Sequence, residues 1–246
     1  MPFPTLPKLL QGLVKNGGFE TNDGPGYIVN NPIEDWTLIN TSSTGASINA
    51  VNTLAQLQAG TNAPIPLWGI SPGYVNGNGF RSGWNGGYFV IADGWPQYNS
   101  KLEQVISGLT PGGKYELRFE YAYAQQAGFD GPTNQKWTVN FGSESYETEA
   151  YDLPSHGFYA GSGTEGWLTA YKLFTPTSAT QTLSFLAVGS PGVPPMSLLD
   201  GVRLFDVTPP PPPPAPVPGP LPLLGLGASL AWSRRLRQRT QRNSLR

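Results

Sequence analysis

Along residues 114–124 apolar side chains alternate with polar or small ones. Tyr115, Leu117, Phe119, Tyr121 and Tyr123 fall on one phase, and Glu116, Arg118, Glu120, Ala122 and Ala124 on the other. Successive side chains of a β-strand leave opposite faces, so this segment predicts a strand that covers a core on one side only. The same alternation sets Trp137, Val139 and Phe141 against Thr138 and Asn140, and Leu183 and Phe185 against Thr182 and Ser184. In all, runs rich in β-branched and aromatic residues predict strands at Leu13–Phe19, Trp36–Asn40, Gly87–Ala92, Lys101–Ile106, Lys114–Ala124, Lys136–Phe141, Trp167–Phe174, Gln181–Val188 and Ser197–Val207, with Gly, Pro, Asn, Asp or Ser between most of them. Between Thr41 and Gly83 the pattern weakens: Ala50–Gln58 is faintly helical and Asn62–Gly79 loop-like, a long excursion on the rim of the fold. Two sheets packed face to face bury the apolar rows, so the predicted fold is all-β, an antiparallel β-sandwich.

The composition agrees: charged residues are 13%, while Gly (31) and Pro (26) are abundant, which suits short strands and many turns. The net charge of −1 hides an asymmetry, because Arg234, Arg235, Arg237, Arg239, Arg242 and Arg246 crowd the C-terminus and leave the rest acidic. The body therefore has no basic footprint for nucleic acid. With no cysteine, it has no disulfide framework, thiol nucleophile or thiolate metal site.

Residues 208–217 are a disordered proline-rich linker, whose prolines favour a stiff polyproline II spacer. The apolar run Leu221–Trp232 is predicted as a short helix, well under the ~20 residues that a spanning helix needs, and the arginines follow it as they do on the cytoplasmic side of a membrane. Proline motif, short apolar segment and arginine cluster in that order resemble the PEP-CTERM sorting signal of bacterial surface proteins. Pro218, Gly219 and Pro220 form the motif, with Gly219 where that family has glutamate, and Arg234 and Arg235 open the basic end. The resemblance implies export, transient membrane anchoring by the C-terminal segment, and an exosortase-type membrane protease as partner. The N-terminus, residues 1–12, lacks the charged and apolar regions of a signal peptide. That conflict points to a start codon set too late or a chain cut at its N-terminus.

The body, residues 13–207, resembles the galactose-binding-like jelly rolls common among carbohydrate-binding modules. The likeness is carried by Leu13-Val14-Lys15-Asn16-Gly17-Gly18-Phe19-Glu20 with Trp36 after it, by Leu102–Tyr115, and by Leu199-Asp200-Gly201-Val202. In that family a glutamate of the first strand and an aspartate of the last help hold a structural calcium; the matching positions are Glu20 and Asp200. Asp200 also shares the sequence phase of Val202 and Leu204, and a carboxylate facing a core needs hydrogen bonds or a cation. Hydrogen bonds from neighbouring loops are the alternative to calcium.

Little else here carries chemistry. His156 is the only histidine, read as a lone exposed loop residue, and the serines lack a nucleophile elbow, so the chain is not expected to be an enzyme. Paired carboxylates such as Asp93, Glu103, Glu120, Asp130 and Glu165 are fixed at no particular separation by the sequence. Trp68, Trp84 and Trp95 sit beside Gly, Asn or Pro in loops where an exposed ring can stack on a sugar, whereas Trp36, Trp137 and Trp167 read as packing. The expected function is carbohydrate binding, with a polysaccharide as partner, through the loop aromatics and the polar face of Arg118, Glu120 and Asn140. The alternative is a structural matrix protein with no small ligand.

Overall fold

The computed structural model describes residues 12–30, 32–53, 64–68, 87–159 and 167–209. The chain divides into two units, Met1–Pro209 and Pro210–Arg246; the second, with all of the predicted linker beyond Pro209, the apolar helix and the sorting motif, lies outside the described residues.

Within the first unit the period-two rows become antiparallel strands, and no helix occurs among the described residues. The strands are β1 (Gly26–Tyr27), β2 (Thr37–Asn40), β3 (Asn49–Thr53), β4 (Tyr88–Asp93), β5 (Ser100–Ser107), β6 (Tyr115–Gln125), β7 (Thr133–Phe141), β8 (Glu144–Glu147), β9 (Tyr151–Leu153), β10 (Phe158–Tyr159), β11 (Leu168–Phe174), β12 (Thr180–Ser190) and β13 (Pro195–Asp206). A seven-stranded sheet runs β1-β3-β4-β13-β6-β10, with β11 also paired to β6. A six-stranded sheet runs β2-β5-β12-β7-β8, with β9 also paired to β7.

The two sheets share one core. Tyr115, Leu117, Phe119, Tyr121 and Tyr123 of β6 meet Trp137, Val139 and Phe141 of β7 and Leu183 and Phe185 of β12, all at most 8% exposed. Phe185 is a hub of edge-to-face ring contacts, with Phe119 at 5.2 Å and Trp36 and Trp137 at 6.2 Å, the geometry in which the positive edge of one ring meets the negative face of the next. The indole N–H of Trp137 crosses from one sheet to the other and donates to the Leu198 carbonyl at 3.1 Å.

Four features depart from the sequence reading. Leu13–Phe19 is not a strand: the Leu13 N–H donates to Leu204 O, but the chain then turns, with Asn16 and Phe19 at positive φ. Of Ala50–Gln58, read as faintly helical, residues 50–53 belong to strand β3, because Asn49–Thr53 pairs along its length with β4, and residues 54–58 lie outside the described residues. Within the excursion, residues 64–68 cover sheet rather than rim. Ile65 and Leu67, fully buried, join Ala50, Phe89, Ile91, Ala122, Ala124, Met196 and Leu198 in a second core on the outer face of the seven-stranded sheet. The C-terminal half of β6 is therefore buried on both faces, where alternation predicted one. Finally, β1, β8, β9 and β10 carry too few residues for a period to show.

Candidate functional site

The second core covers only part of the outer face of the seven-stranded sheet. Beyond it, β13, β6 and β11 lay out three cross-strand rows: Asp200, Glu120 and Thr169; Arg203, Arg118 and Tyr171; Phe205, Glu116 and Leu173. A shallow cleft of about 50 Å³ opens here, lined by Arg118, Glu120, Thr169, Tyr171, Arg203 and Phe205 among others. Tyr171 is 57% exposed, and the Arg118 guanidinium lies over its ring at 5.2 Å and over the Phe205 ring at 5.6 Å. Glu116 bonds the Nε of Arg118 and holds the guanidinium in place. Like charges set directly opposite, as Arg118 and Arg203 are, weaken a sheet, and the rings and carboxylates around them offset that repulsion. The result is an exposed aromatic face between fixed donors and acceptors.

The upper margin of this cleft is a β-bulge. The register of β13 against β6 shifts between Asp200 and Arg203, with Gly201 at φ 58°, a conformation that glycine adopts without cost. The extra residue reverses the phase of the strand. Val202 and Leu204 face the shared core, while Asp200 follows Leu198 to the outer face, so Asp200 does not point where Val202 and Leu204 point. Asp200 is 1% exposed; its Oδ1 accepts the Gly201 N–H at 2.6 Å and its Oδ2 has no hydrogen-bond partner. Burial, with Glu120 and Glu20 close enough to add their charge, pushes its pKa up to about 8 against the opposing pull of the Gly201 N–H and Arg203. Glu20 reaches the same neighbourhood, where its Oε1 accepts the Tyr88 N–H at 2.9 Å. A buried, unpartnered carboxylate oxygen beside two further acids fits the oxygen donor set of a hard cation. No three histidine or acidic side chains among the described residues form a metal cage, so main-chain carbonyls would have to complete the coordination.

Two of the loop tryptophans, Trp68 and Trp95, lie at the end of the sandwich where β6 meets the start of β13. Trp68 donates its indole N–H to Phe129 O at 3.1 Å and packs on the His156 ring, with centroids 4.2 Å apart and planes tilted by 35°. His156 is thus not a lone loop residue: its Nε2 bonds Asp130, and its backbone N–H donates to the Gln125 side chain at 2.6 Å. Trp95 rests against Gly192, where an added Cβ would meet its ring at 2.9 Å. Trp84 lies outside the described residues. Asn140 is on β7 of the other sheet, so it shares no surface with Arg118 and Glu120, which the structure does bring together. Trp36 and Trp137 are core residues and Trp167 packs on the second core, as their sequence settings implied. Tyr171 was overlooked, although Thr169, Tyr171 and Leu173 share one phase of their strand and that phase faces solvent.

No known family profile matches this chain, and no curated protein matches it by sequence. Among solved structures it is similar to a family 61 carbohydrate-binding module in complex with β-1,4-galactotriose, at 13% identity over 80% of this chain and 99% of that one (TM-score 0.41). It is also similar to the CBM22-1 xylan-binding domain of Xyn10C from Paenibacillus barcinonensis, at 11% identity over 80% and 96% (TM-score 0.39). A third is the K3 cleaved adhesin domain of Lys-gingipain from Porphyromonas gingivalis, at 13% identity over 75% and 98% (TM-score 0.38). At this level of identity and overlap the likeness assigns the chain to no family.

Proposed function

We propose that the sandwich is a non-catalytic module that binds a neutral polysaccharide in the cleft on β6, β11 and β13. The observation that carries this reading is the exposed Tyr171 ring flanked by the fixed Arg118 guanidinium and by Glu120. The C–H face of a pyranose stacks on such a ring, and its hydroxyls, which both donate and accept, pair with guanidinium and carboxylate. Tyr171→Ala and Arg118→Ala should each weaken binding about tenfold in titrations against a polysaccharide panel, the value of one stacking or charge-assisted contact. Asn140→Ala, on the other sheet, should leave affinity unchanged. A glycan panel without hits, or full affinity in Tyr171→Ala, overturns the proposal and favours the structural matrix role.

The acids at the bulge extend it. Glu20 and Asp200, with main-chain oxygens, would hold one calcium ion, which would stiffen the bulge beside the cleft. Calcium at a hundred times its dissociation constant should then add about 2.7 kcal/mol of stability. The increment should vanish in Asp200→Asn; an unchanged melting temperature with and without chelator would leave the carboxylates to hydrogen bonds alone.

In the same proposal the protein is exported to the bacterial surface, and Pro218–Arg246 is an address read by an exosortase-type protease. Arg234→Glu with Arg235→Glu should block processing in an exosortase-bearing strain while the sandwich stays folded. Surface protein still ending at Arg246 would defeat the sorting role.

A further inference from the structure

Tyrosines gather at the margin of the sandwich where β9 and β10 meet. Tyr121 and Tyr123 of β6, Tyr146 of β8, Tyr151 of β9 and Tyr159 of β10 all belong to the shared core or pack against it. Two of them form a contact of a different kind from the rest. Tyr151, on the six-stranded sheet, and Tyr159, on the seven-stranded sheet, lie face to face with ring centroids 3.6 Å apart and planes 6° from parallel. The other tyrosine–tyrosine ring contact among the described residues, Tyr121 with Tyr123, is edge-on at 5.5 Å, and those two rings are at most 8% exposed. The Tyr123 hydroxyl is held by Thr148 at 2.7 Å. Tyr151 and Tyr159 are half-buried, so an oxidant has access to them.

The geometry points to Tyr151 and Tyr159 as a site of oxidative cross-linking, a dityrosine staple joining the two sheets. Each phenol gives one electron and one proton to a haem peroxidase, which passes the electrons to hydrogen peroxide and releases two waters. The two phenoxyl radicals pair in a new bond between ring carbons ortho to the hydroxyls. The two hydrogens on those carbons shift to oxygen as aromaticity returns, so the chain loses two hydrogens in all. Stacked rings need only slide by less than a ring's width to couple, whereas phenols that must first find each other couple slowly. The chain has no cysteine, so no disulfide can make this connection. A bond from β9 to β10 ties one sheet to the other at a margin where each ends in a strand of two or three residues.

The test treats the purified full chain with peroxidase and hydrogen peroxide, and reads intact mass, dityrosine fluorescence and cross-linked peptides. The expected product is a monomer two hydrogens lighter, with Tyr151 joined to Tyr159 and a raised melting temperature. Tyr151→Phe keeps the stacked ring and the fold but lacks the phenol, and should cut the yield at least about tenfold; Tyr27→Phe, at an exposed tyrosine away from the pair, should leave it unchanged. A cross-link mapped to other tyrosines, dimers joined through the exposed Tyr27 or Tyr171, or an unchanged mass would overturn the assignment.

Discussion

Asp93 shows how one side chain can tie a loop to pH. It ends β4 fully buried; its Oδ1 accepts the Trp95 N–H at 2.8 Å and so shapes the turn that carries that ring, while its Oδ2 has no partner. Burial raises its pKa to about 7, opposed only in part by the Trp95 N–H. Because the folded value lies above the unfolded one, the protonated form is favoured by folding. This contribution is fully present below the unfolded value of 3.8 and is lost as pH rises through about 7. Thermal melts should therefore show lower stability at pH 8 than at pH 5. The Asp93 share is about 2 kcal/mol, or roughly 5 °C in a domain of this size. Asp93→Asn should flatten that slope, and an unchanged slope would mean that the carboxyl gains a partner on ionising.

Among the elements, the bulge in β13 and the turn over it decide most about the site. The chain at Gly17 lies so close to β13 that an added Cβ would meet Val202 O at 1.9 Å, and the Val202 N–H donates to Gly17 O at 2.8 Å. Opening residues with a strand-like sequence thus serve instead as a clamp on the bulge, and the clamp brings Glu20 towards Asp200. Gly17→Ala should cost more than about 2 kcal/mol, because backbone meets backbone and neither can yield cheaply. The loss would appear as a lowered denaturant midpoint with unchanged slope. At the core hub, Phe185→Ala should cost about 3–5 kcal/mol by leaving a cavity between three aromatic rings.

On the scale of the whole molecule, residues 12–209 hold both cores and both sheets, and this piece alone should give a β-type circular dichroism spectrum and melt where the full chain melts. A helical spectrum or a lower melting temperature would show that the remainder contributes to folding. Sequence alone determined the all-β class and the apolar rows of β6, β7 and β12, because a period-two row has one low-energy destination, a shared core. It also marked Asp200, a charge among the apolar neighbours of its strand, and Glu120, on the polar phase of β6, while Glu20 was singled out only by the family resemblance. Only the tertiary structure decided which face each of them takes. One extra residue at Gly201 reverses every side chain after it, and no alternation read along a single strand reveals an insertion defined by its partner. The second core and the Tyr171 cleft were hidden for the same reason: they arise where segments far apart in the chain cover a face, or leave it bare.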